Sequence, residues 1–322
     1  MTPLRAGDTL DHYRIENLVA RSGMASIFRG TDERTGQPVA IKIPHPEMEA
    51  DIVLYDRFKR EQEIGQKLDH PNVMKVLAND DRTQVYMVME WVEGRLLRQI
   101  LAEQKKLPVD RALRIAVEIA KALDYIHGHG VVHRDLKPEN IMVGADDKLK
   151  LIDFGIAANE GSRRLTFAKL SQVMGTPDYI SPEQVKGKRG DGRSDIYALG
   201  VMLYEMLTGR VPFQGPNAFA IMNDRLLNNP IPPREIAPEI TPELQEVIYR
   251  ALERDPKNRY ATAHEMIGDL EHLDQVGVAD RAELKDWRNR RSPWPRRVGF
   301  YLLMALIPIV VFGLLLWVAK HS

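Results

Sequence analysis

A short segment in the middle of the chain collects several side chains that could catalyse a reaction. Residues 133–140 read HRDLKPEN and lie between a helical stretch and a short apolar run. A carboxylate next to a lysine, here Asp135 and Lys137, stays ionised and can accept the proton of a hydroxyl group. The amide oxygen of Asn140 is a neutral ligand of the kind that hard cations prefer. The segment therefore indicates acid–base chemistry beside a divalent metal ion.

A second acidic residue follows thirteen positions after Asn140. Asp153 ends an alternating strand over 148–152 and is followed by Phe154 and Gly155. An aspartate at a strand end, beside a flexible glycine, suits a magnesium ligand that moves with its loop. Taken alone, Asp153 or Asp135 could equally be a solvated charge in a capped turn, which is the commoner meaning of an isolated aspartate.

The elements that must position these side chains change character along the chain. Apolar alternation predicts strands, and one helix among them, in the first hundred residues: strands over 12–18, 25–28, 38–43 and 84–89, and a helix over 51–68. Later residues show helical periodicity, with polar residues expected as N-caps: helices over 110–127, 194–207, 216–227, 241–252 and 262–274, with Asp110, Ser194, Thr241 and Thr262 as N-caps. The pattern predicts an α+β protein in which a small β-rich lobe precedes a larger helical lobe.

The composition excludes several classes of protein. The 322 residues include 45 Lys and Arg against 45 Asp and Glu, so no basic excess exists to bind phosphate backbones, and no nucleic-acid partner is expected. The chain has no cysteine, which excludes disulfides, thiolate metal sites and a cysteine nucleophile.

The end of the chain predicts a membrane anchor. Residues 299–319 carry no charged side chain and, as a helix rising about 1.5 Å per residue, would reach the hydrocarbon thickness of about 30 Å. Five arginines between 288 and 297 should keep the preceding domain cytoplasmic and contact anionic lipid. The alternative is a buried core helix, but a core helix is rarely apolar on all faces for this length. We expect one span, with residues 320–322 as a short tail beyond it.

The motifs together resemble those of the protein kinase family, and the resemblance covers residues 12–274. HRDLKPEN and the DFG over 153–155 are similar to its catalytic and metal-binding motifs at the expected spacing. VAIK over 39–42 and SPE over 181–183 resemble two further motifs. Asp195 is similar to the aspartate on helix F of that family, and Arg259 resembles the arginine that pairs with the glutamate of SPE, here Glu183.

This resemblance implies a bilobal kinase fold with one additional transmembrane helix. Its expected divisions are an N-terminal extension over 1–11, an N-lobe over 12–92, a C-lobe over 93–274, a basic juxtamembrane linker over 275–298 and the span over 299–319. The loop sequence over 23–28 and the span resemble bacterial membrane-anchored Ser/Thr kinases, which implies a single-pass protein of the inner cell membrane.

The resemblance also implies the roles of the site residues. Asp135 would be the base that positions the substrate hydroxyl, and Lys137 would steady the transferred phosphoryl group. Lys42 would hold the α- and β-phosphates of ATP. Asn140 and Asp153 would bind two Mg²⁺ ions, with Mn²⁺ as an alternative.

The partner of Lys42 can be argued from periodicity alone. One helical face carries apolar residues and a single acid at spacings of four, three, four and three: Leu54, Phe58, Glu61, Gly65 and Leu68. An unpaired carboxylate on that face would be costly, so Glu61 needs a cation, and Lys42 on a neighbouring strand is the expected one. The alternative is a pair with Lys59 or Arg57 on the solvent side. Gly65 should loosen this helix.

The resemblance implies a nucleotide pocket whose phosphate loop departs from the family pattern. The residues assigned to the loop are Val19, Ala20, Arg21, Ser22, Gly23, Met24, Ala25, Ser26 and Ile27. Those assigned to the adenine pocket are Ile27, Ala40, Met89, Glu90, Val92 and Met142. Small residues replace the three usual glycines at positions 20, 22 and 25, which predicts a raised KM for ATP.

The resemblance implies protein substrates with Ser or Thr acceptors, because a lysine occupies position 137 and Gly175-Thr176 lies ahead of SPE. Glu139 would attract a basic residue near the acceptor. Arg134 would pair with an activation-loop phosphate, with Ser171 and Thr166 as candidate sites. Whether two kinase domains form a dimer is a question that the sequence leaves open. The alternative function is an ATP-binding pseudokinase scaffold at the membrane, while the later motifs disfavour a small-molecule kinase.

Overall fold

The computed structural model describes residues 4–21, 25–46, 51–79, 82–153 and 177–281. The chain divides into two compact units, one containing Met1–Asn228 and Pro232–Val278, the other Asn229–Ile231 and Ala279–Ser322. Every helix and strand numbered below belongs to the first unit and is numbered in chain order within the described residues.

The first lobe is built on a six-stranded antiparallel sheet with strand order β1-β2-β3-β4-β6-β5. Its strands are β1 (Thr9–Leu10), β2 (Tyr13–Arg21), β3 (Ala25–Asp32), β4 (Pro38–Pro44), β5 (Val76–Leu77) and β6 (Met87–Glu90). Side chains alternate between the faces of the sheet, so Val39 and Ile41 pack in a small outer core while Ala40 packs in the main core. Lys42 shares the face of Ala40, which points it toward the main core.

One helix of this lobe, α1 (Ile52–Gly65), packs in the main core through Phe58. Phe58 and Glu61 are both buried on one face of α1, as the spacing predicted. The helix ends at Gly65, three residues before the predicted end at Leu68, and the amide of Leu68 bonds the Gly65 carbonyl in the following turn. Gly65 is therefore the last residue of the helix and does not lie in its interior. The expected loosening of this helix stays a prediction.

The second lobe is helical. Its helices are α2 (Leu97–Gln104), α3 (Val109–Gly128), α4 (Pro182–Val185), α5 (Gly192–Thr208), α6 (Ala218–Leu227), α7 (Pro242–Ala251) and α8 (Ala263–Glu271). Helix α5 is buried from Ser194 to Thr208 and forms the centre against which α3, α7 and α8 pack. The two lobes give the predicted α+β architecture of a β-rich first lobe and a helical second lobe.

Two of the four predicted N-caps are wrong. Thr241 and Thr262 cap α7 and α8, since their side chains accept the amide hydrogens of Leu244 and Glu265. Asp110 lies inside α3, which begins one residue earlier and is preceded by Pro108. Ser194 lies inside α5, whose N-cap is Asp191. Both errors arise because another helix-starting residue stands just upstream, proline before α3 and aspartate before α5.

A small sheet of β7 (Arg95–Leu96), β8 (Ile141–Val143) and β9 (Leu149–Leu151) carries the candidate site. Asn140 immediately precedes β8, and Asp153 lies two residues beyond β9. Because β8 and β9 are antiparallel neighbours, with Ile141 opposite Leu151, the start of one and the end of the other meet at the same edge. The hairpin therefore brings the predicted metal ligands together.

Several predictions concern residues outside the described ranges. These are the phosphate-loop residues Ser22, Gly23 and Met24, the segment over 154–176 including Gly155, the five arginines between 288 and 297 and the apolar span over 299–319. Among the residues that the structure describes, no helix is both long and apolar enough to span a membrane. The predicted domain boundaries stay predictions.

A buried ion pair links α4 to the segment between α7 and α8. The guanidinium of Arg259 donates two hydrogen bonds to Glu183, from Nη1 to Oε1 at 2.8 Å and from Nη2 to Oε2 at 2.7 Å. The hydroxyl of Ser194 donates a third at 2.6 Å. Burial alone would raise the pKa of Glu183, but the hydrogen bonds and charge of Arg259 outweigh it and lower that pKa. The carboxylate is therefore ionised in the folded protein.

We expect Arg259→Met to lower the free energy of unfolding by about 3–5 kcal/mol, because it leaves the buried Glu183 carboxylate without its cation. Since the pKa of Glu183 is lowered on folding, its ionisation stabilises the protein above the unfolded value of 4.5 and stops doing so as pH falls through the folded value. Glu183→Gln should therefore lose less stability than wild type on acidification. Urea unfolding between pH 3 and 7 measures both effects. Asp274→Asn, at an exposed acid, is the control, and identical acid profiles for wild type and Glu183→Gln would contradict the prediction.

Candidate active site

The centre of the candidate site is a lysine held between two carboxylates. Lys42 Nζ lies 2.7 Å from Glu61 Oε1 and 3.7 Å from Asp153 Oδ1. Strand β4 supplies the lysine, α1 supplies Glu61 and the end of the β8–β9 hairpin supplies Asp153. The lysine side chain is 18% exposed and the Glu61 side chain 7%, whereas that of Asp153 is 49% exposed. Glu61 thus holds the lysine from the buried side, and Asp153 is half exposed.

Burial and charge shift the pKa values of this cluster in different directions. Burial would lower the pKa of Lys42, but the carboxylates of Asp153 and Glu61 outweigh it and raise that pKa. Burial would raise the pKa of Asp153, yet the charge of Lys42 lowers it. Glu61 is buried most deeply, and its burial raises its pKa against the opposing charge of Lys42. The cluster therefore offers a permanent cation beside an ionised, open carboxylate.

The predicted catalytic segment folds back on itself. Lys137 Nζ donates to Asp135 Oδ2 at 2.6 Å, and both side chains are partly exposed. Asn140 Nδ2 donates to the carbonyl oxygen of Asp135 at 2.8 Å, which leaves the amide oxygen of Asn140 as its cation-binding atom. The amide of Ile152 donates to the Asn140 carbonyl at 2.9 Å and so joins this segment to the approach to Asp153.

Asp195 holds the backbone of the catalytic segment through hydrogen bonds. Its Oδ2 accepts from the amide of His133 at 2.9 Å, and its Oδ1 accepts from the amide of Arg134 at 2.7 Å. The ring nitrogen Nε2 of His127 lies 2.8 Å from the same carboxylate, which is 1% exposed. Arg134 has a φ of 65°, a left-handed conformation that costs a non-glycine residue free energy and needs such support. The sequence singled out Asp195 by resemblance but did not show that it holds these amides.

Gln184 is a supporting residue that sequence reasoning missed. Its Nε2 donates to the carbonyl of Arg134 at 2.9 Å, and its Oε1 accepts from the amide of Ser181 at 3.0 Å. The side chain therefore links the start of α4 to the strained turn before Asp135. Its sequence signal is the capping-box pattern of a serine followed three residues later by glutamine.

The residues assigned to the nucleotide pocket are placed on adjoining elements. Ala40 and Met89 are opposite each other in β4 and β6 and are both buried, whereas Ile27 and Met142 are partly buried. Val92, just beyond β6, is partly buried too. Glu90 is tied by its side chain to Lys150 Nζ at 2.5 Å and by its amide to the Lys75 carbonyl at 3.0 Å.

The described part of the phosphate loop is an antiparallel hairpin whose register shifts at Val19. Ala20 pairs with Ile27 and Arg21 with Ser26, while Ala25 pairs with Pro44 of β4. Val19, Ala20 and Arg21 are exposed, while Ala25 is buried and Ser26 Oγ lies 3.0 Å from His45 Nε2. The arm over 19–21 is thus exposed, whereas the arm over 25–27 is buried or partly buried.

The described site lies within a part of the chain that matches a known protein family. Residues 13–269 match the family described as protein kinase domain. A probable serine/threonine-protein kinase of Streptomyces coelicolor is 38% identical over 264 residues, covering 80% of this chain and 39% of that protein. The serine/threonine-protein kinase PknB of Mycolicibacterium smegmatis is 36% identical over 287 residues, covering 88% of this chain and 46% of that protein. The chain thus spans about two fifths of the length of the first of these curated relatives.

Two solved structures are also similar to this chain over most of its length. The crystal structure of the Mycobacterium tuberculosis PknI kinase domain has a TM-score of 0.66 and 28% identity, covering 84% of this chain and all of that one. A crystal structure of Rad53 in complex with AMP-PNP has a TM-score of 0.65 and 29% identity, covering 80% of this chain and 64% of that one.

The raised pKa of Lys42 should make its amine unreactive toward acylating reagents. We expect Glu61→Gln to increase the labelling of Lys42 by limiting acetic anhydride at pH 8, because loss of one carboxylate lowers the lysine pKa. Mass spectrometry of the digested protein gives the extent of labelling at each lysine. The exposed Lys188 serves as the internal control and should not change. Equal labelling of Lys42 in both proteins would show that Glu61 does not set its reactivity.

Proposed function

Because this chain belongs to the protein kinase family, we propose that it transfers the γ-phosphoryl group of ATP to Ser and Thr hydroxyls of proteins. The observation that carries the proposal is the assembled cluster in which Lys42 Nζ lies 2.7 Å from Glu61 and 3.7 Å from Asp153. Kinases need this lysine–glutamate pair and the neighbouring aspartate in place together to be active. The described arrangement of these three residues therefore supports the proposal of an active kinase.

The donor set fits a nucleotide bound with magnesium. Hard cations prefer carboxylate and amide oxygens, and the half-exposed Asp153 with the amide oxygen of Asn140 provides them at one edge of the small sheet. Lys42 is a fixed cation suited to phosphate oxygens. When bound, Mg²⁺ would neutralise charge on the phosphates; Mn²⁺ satisfies the same ligands. Ala40, Met89 and Met142 offer apolar surface for the adenine ring.

The remaining chemistry is positioning and one proton transfer. The Asp135 carboxylate, 45% exposed, would accept the hydrogen of the acceptor hydroxyl and orient its oxygen. Lys137 Nζ, which is held by Asp135 Oδ2 at 2.6 Å, would stabilise the negative charge on the transferred group. Asp195 and Gln184 act through the backbone of Arg134 and are positioning residues. The support from Asp195 is needed because a displacement of about 1 Å in such a site can cost 10²-fold in rate.

Asp135→Asn should abolish most autophosphorylation, with kcat reduced on the order of 10²–10³-fold, because the hydroxyl loses its base and its orienting charge. Incorporation of labelled phosphate from ATP by the purified full chain measures this, and mass spectrometry maps the modified residues, where we expect Ser171 or Thr166. Asp274→Asn is the matched control. Wild type that binds Mg-ATP but transfers phosphate to no protein would favour the pseudokinase scaffold, which the glycine-poor loop over 20–25 suggests.

We also propose that the kinase domain is tethered to the inner membrane from its cytoplasmic side. The support is the sequence: residues 299–319 contain no charge, and arginines at 288, 290, 291, 296 and 297 precede them. Lipid contact through this helix and the arginines would then hold the active site close to membrane-bound protein substrates. A dimer of kinase domains would be promoted by the same confinement to a surface.

Two charges in the middle of the apolar segment should release the protein from the membrane. Each arginine at the centre of a span costs about 2.5–3.5 kcal/mol on insertion scales, so Val310→Arg with Val311→Arg should move the chain from the carbonate-resistant membrane fraction to the supernatant. Fractionation of expressing bacteria followed by immunoblotting measures the distribution. Val310→Leu with Val311→Leu should stay with the membrane. Wild type found in the supernatant would rule out the tether.

A further inference from the structure

An arginine of α2 is bound on three sides by groups beside the catalytic segment. Arg98 Nε donates to Glu139 Oε1 at 2.9 Å, and Nη1 donates to Glu205 Oε1 at 2.8 Å. Its Nη2 donates to the hydroxyl of Tyr179, which in turn donates to Glu205 Oε2. Two carboxylates and a phenol oxygen from separate parts of the second lobe thus converge on one guanidinium.

The cluster has a closed inner wall and an open side. Glu205 and Tyr179 are buried, at 8% and 7% exposed. The side chains of Arg98 and Glu139 are 32% and 44% exposed, so the guanidinium lies in a recess that is buried at Glu205 and Tyr179 and exposed at Glu139. Burial and the neighbouring Glu205 raise the pKa of Tyr179, which indicates that the inner wall is strongly electronegative.

The recess opens beside the proposed acceptor site. Glu139 lies in the single turn Pro138–Asn140, between Lys137 and Asn140, and the latter bonds the carbonyl of Asp135. Tyr179 lies in the turn Pro177–Tyr179, two residues before Ser181, whose amide is bonded by Gln184. A protein segment that presents its hydroxyl to Asp135 would therefore pass near Glu139, at the exposed side of this recess.

Without Arg98 the recess would have the chemistry of a cation site. Two carboxylates at fixed positions match the fork of a guanidinium, and a buried carboxylate such as Glu205 is costly unless a cation pairs with it. Arg98 supplies that cation from within the chain. Glu139, which the sequence predicted would attract a basic residue of the substrate, is occupied by the same guanidinium.

We propose that Arg98 fills a pocket that would otherwise bind a basic side chain of the protein substrate. The kinase therefore gains no advantage from a basic residue at the position of the acceptor segment that meets this pocket. Arg98 is a specificity-determining residue, and this inference rests on the proposed kinase activity.

The test compares peptide preferences of the full-length wild type and Arg98→Ala. The peptides carry one central Ser or Thr in a neutral background, with a single Arg or Ala placed in turn at each neighbouring position. We expect the wild type to phosphorylate the two kinds with similar kcat/KM or to prefer Ala. Arg98→Ala should prefer Arg at one particular position by roughly tenfold or more, the factor that a hydrogen bond between charged groups provides.

Two further measurements separate specificity from a merely structural role. Ethylguanidinium should refill the emptied recess of Arg98→Ala and inhibit phosphorylation of the preferred Arg peptide while sparing its Ala counterpart. Arg98→Lys keeps a cation for Glu205 if the alanine variant does not fold, but an ammonium cannot bridge all three partners, so a smaller gain for the Arg peptide is expected. Arg95→Ala, which removes an exposed arginine of β7 paired with Glu103, should keep the wild-type preference.

The outcomes distinguish this inference from the activity on which it rests. An unchanged ratio of kcat/KM for Arg and Ala peptides in both Arg98 variants, with phosphorylation still measurable, would overturn the role of Arg98 alone. A general loss of stability and rate without a change in that ratio would likewise assign Arg98 a structural role only. No transfer by the wild type to any peptide or to itself would overturn the kinase activity as well.

Discussion

The structure depends on keeping one buried lysine between two carboxylates that come from different elements. Lys42 is carried by a sheet, Glu61 by a helix and Asp153 by the end of a hairpin, so the cluster exists only when all three are docked. Charges this poorly solvated are costly unless they are paired. The same pairing that relieves this cost places a cation and an open carboxylate side by side, which is what a bound nucleotide with magnesium requires.

A second buried carboxylate, that of Asp195, holds the catalytic segment in place, just as the Glu61 carboxylate holds Lys42. Asp195, almost fully enclosed in α5, accepts two consecutive backbone amides and thereby supports the left-handed turn at Arg134. Glu183, paired with Arg259, anchors α4, whose Gln184 supports the same turn from the other side. The helical lobe thus carries Asp135 on a loop whose backbone groups are hydrogen-bonded by Asp195 and Gln184.

Electrostatic pairing also determines which charges lie near the proposed acceptor site. Glu139 is the residue that an inspection of the sequence assigns to substrate recognition, because it stands in the catalytic segment and carries a charge. In the folded protein its carboxylate is bound to Arg98, which also reaches Glu205. A charge that looks available in the sequence is therefore neutralised by a residue forty-one positions away. The charge presented to a substrate follows from these contacts and not from the motif.

The sequence by itself determined the order of strands and helices, the pairing of Lys42 with Glu61 and the meeting of Asn140 with Asp153. These follow from local periodicity, from the cost of a carboxylate on an apolar face and from motifs with fixed spacing. Only the tertiary structure decided which residues hold the backbone at Arg134 and which cation occupies the recess at Glu205. Those contacts join residues far apart in the chain, and their geometry is set by how α2 and α5 pack, which no local pattern encodes.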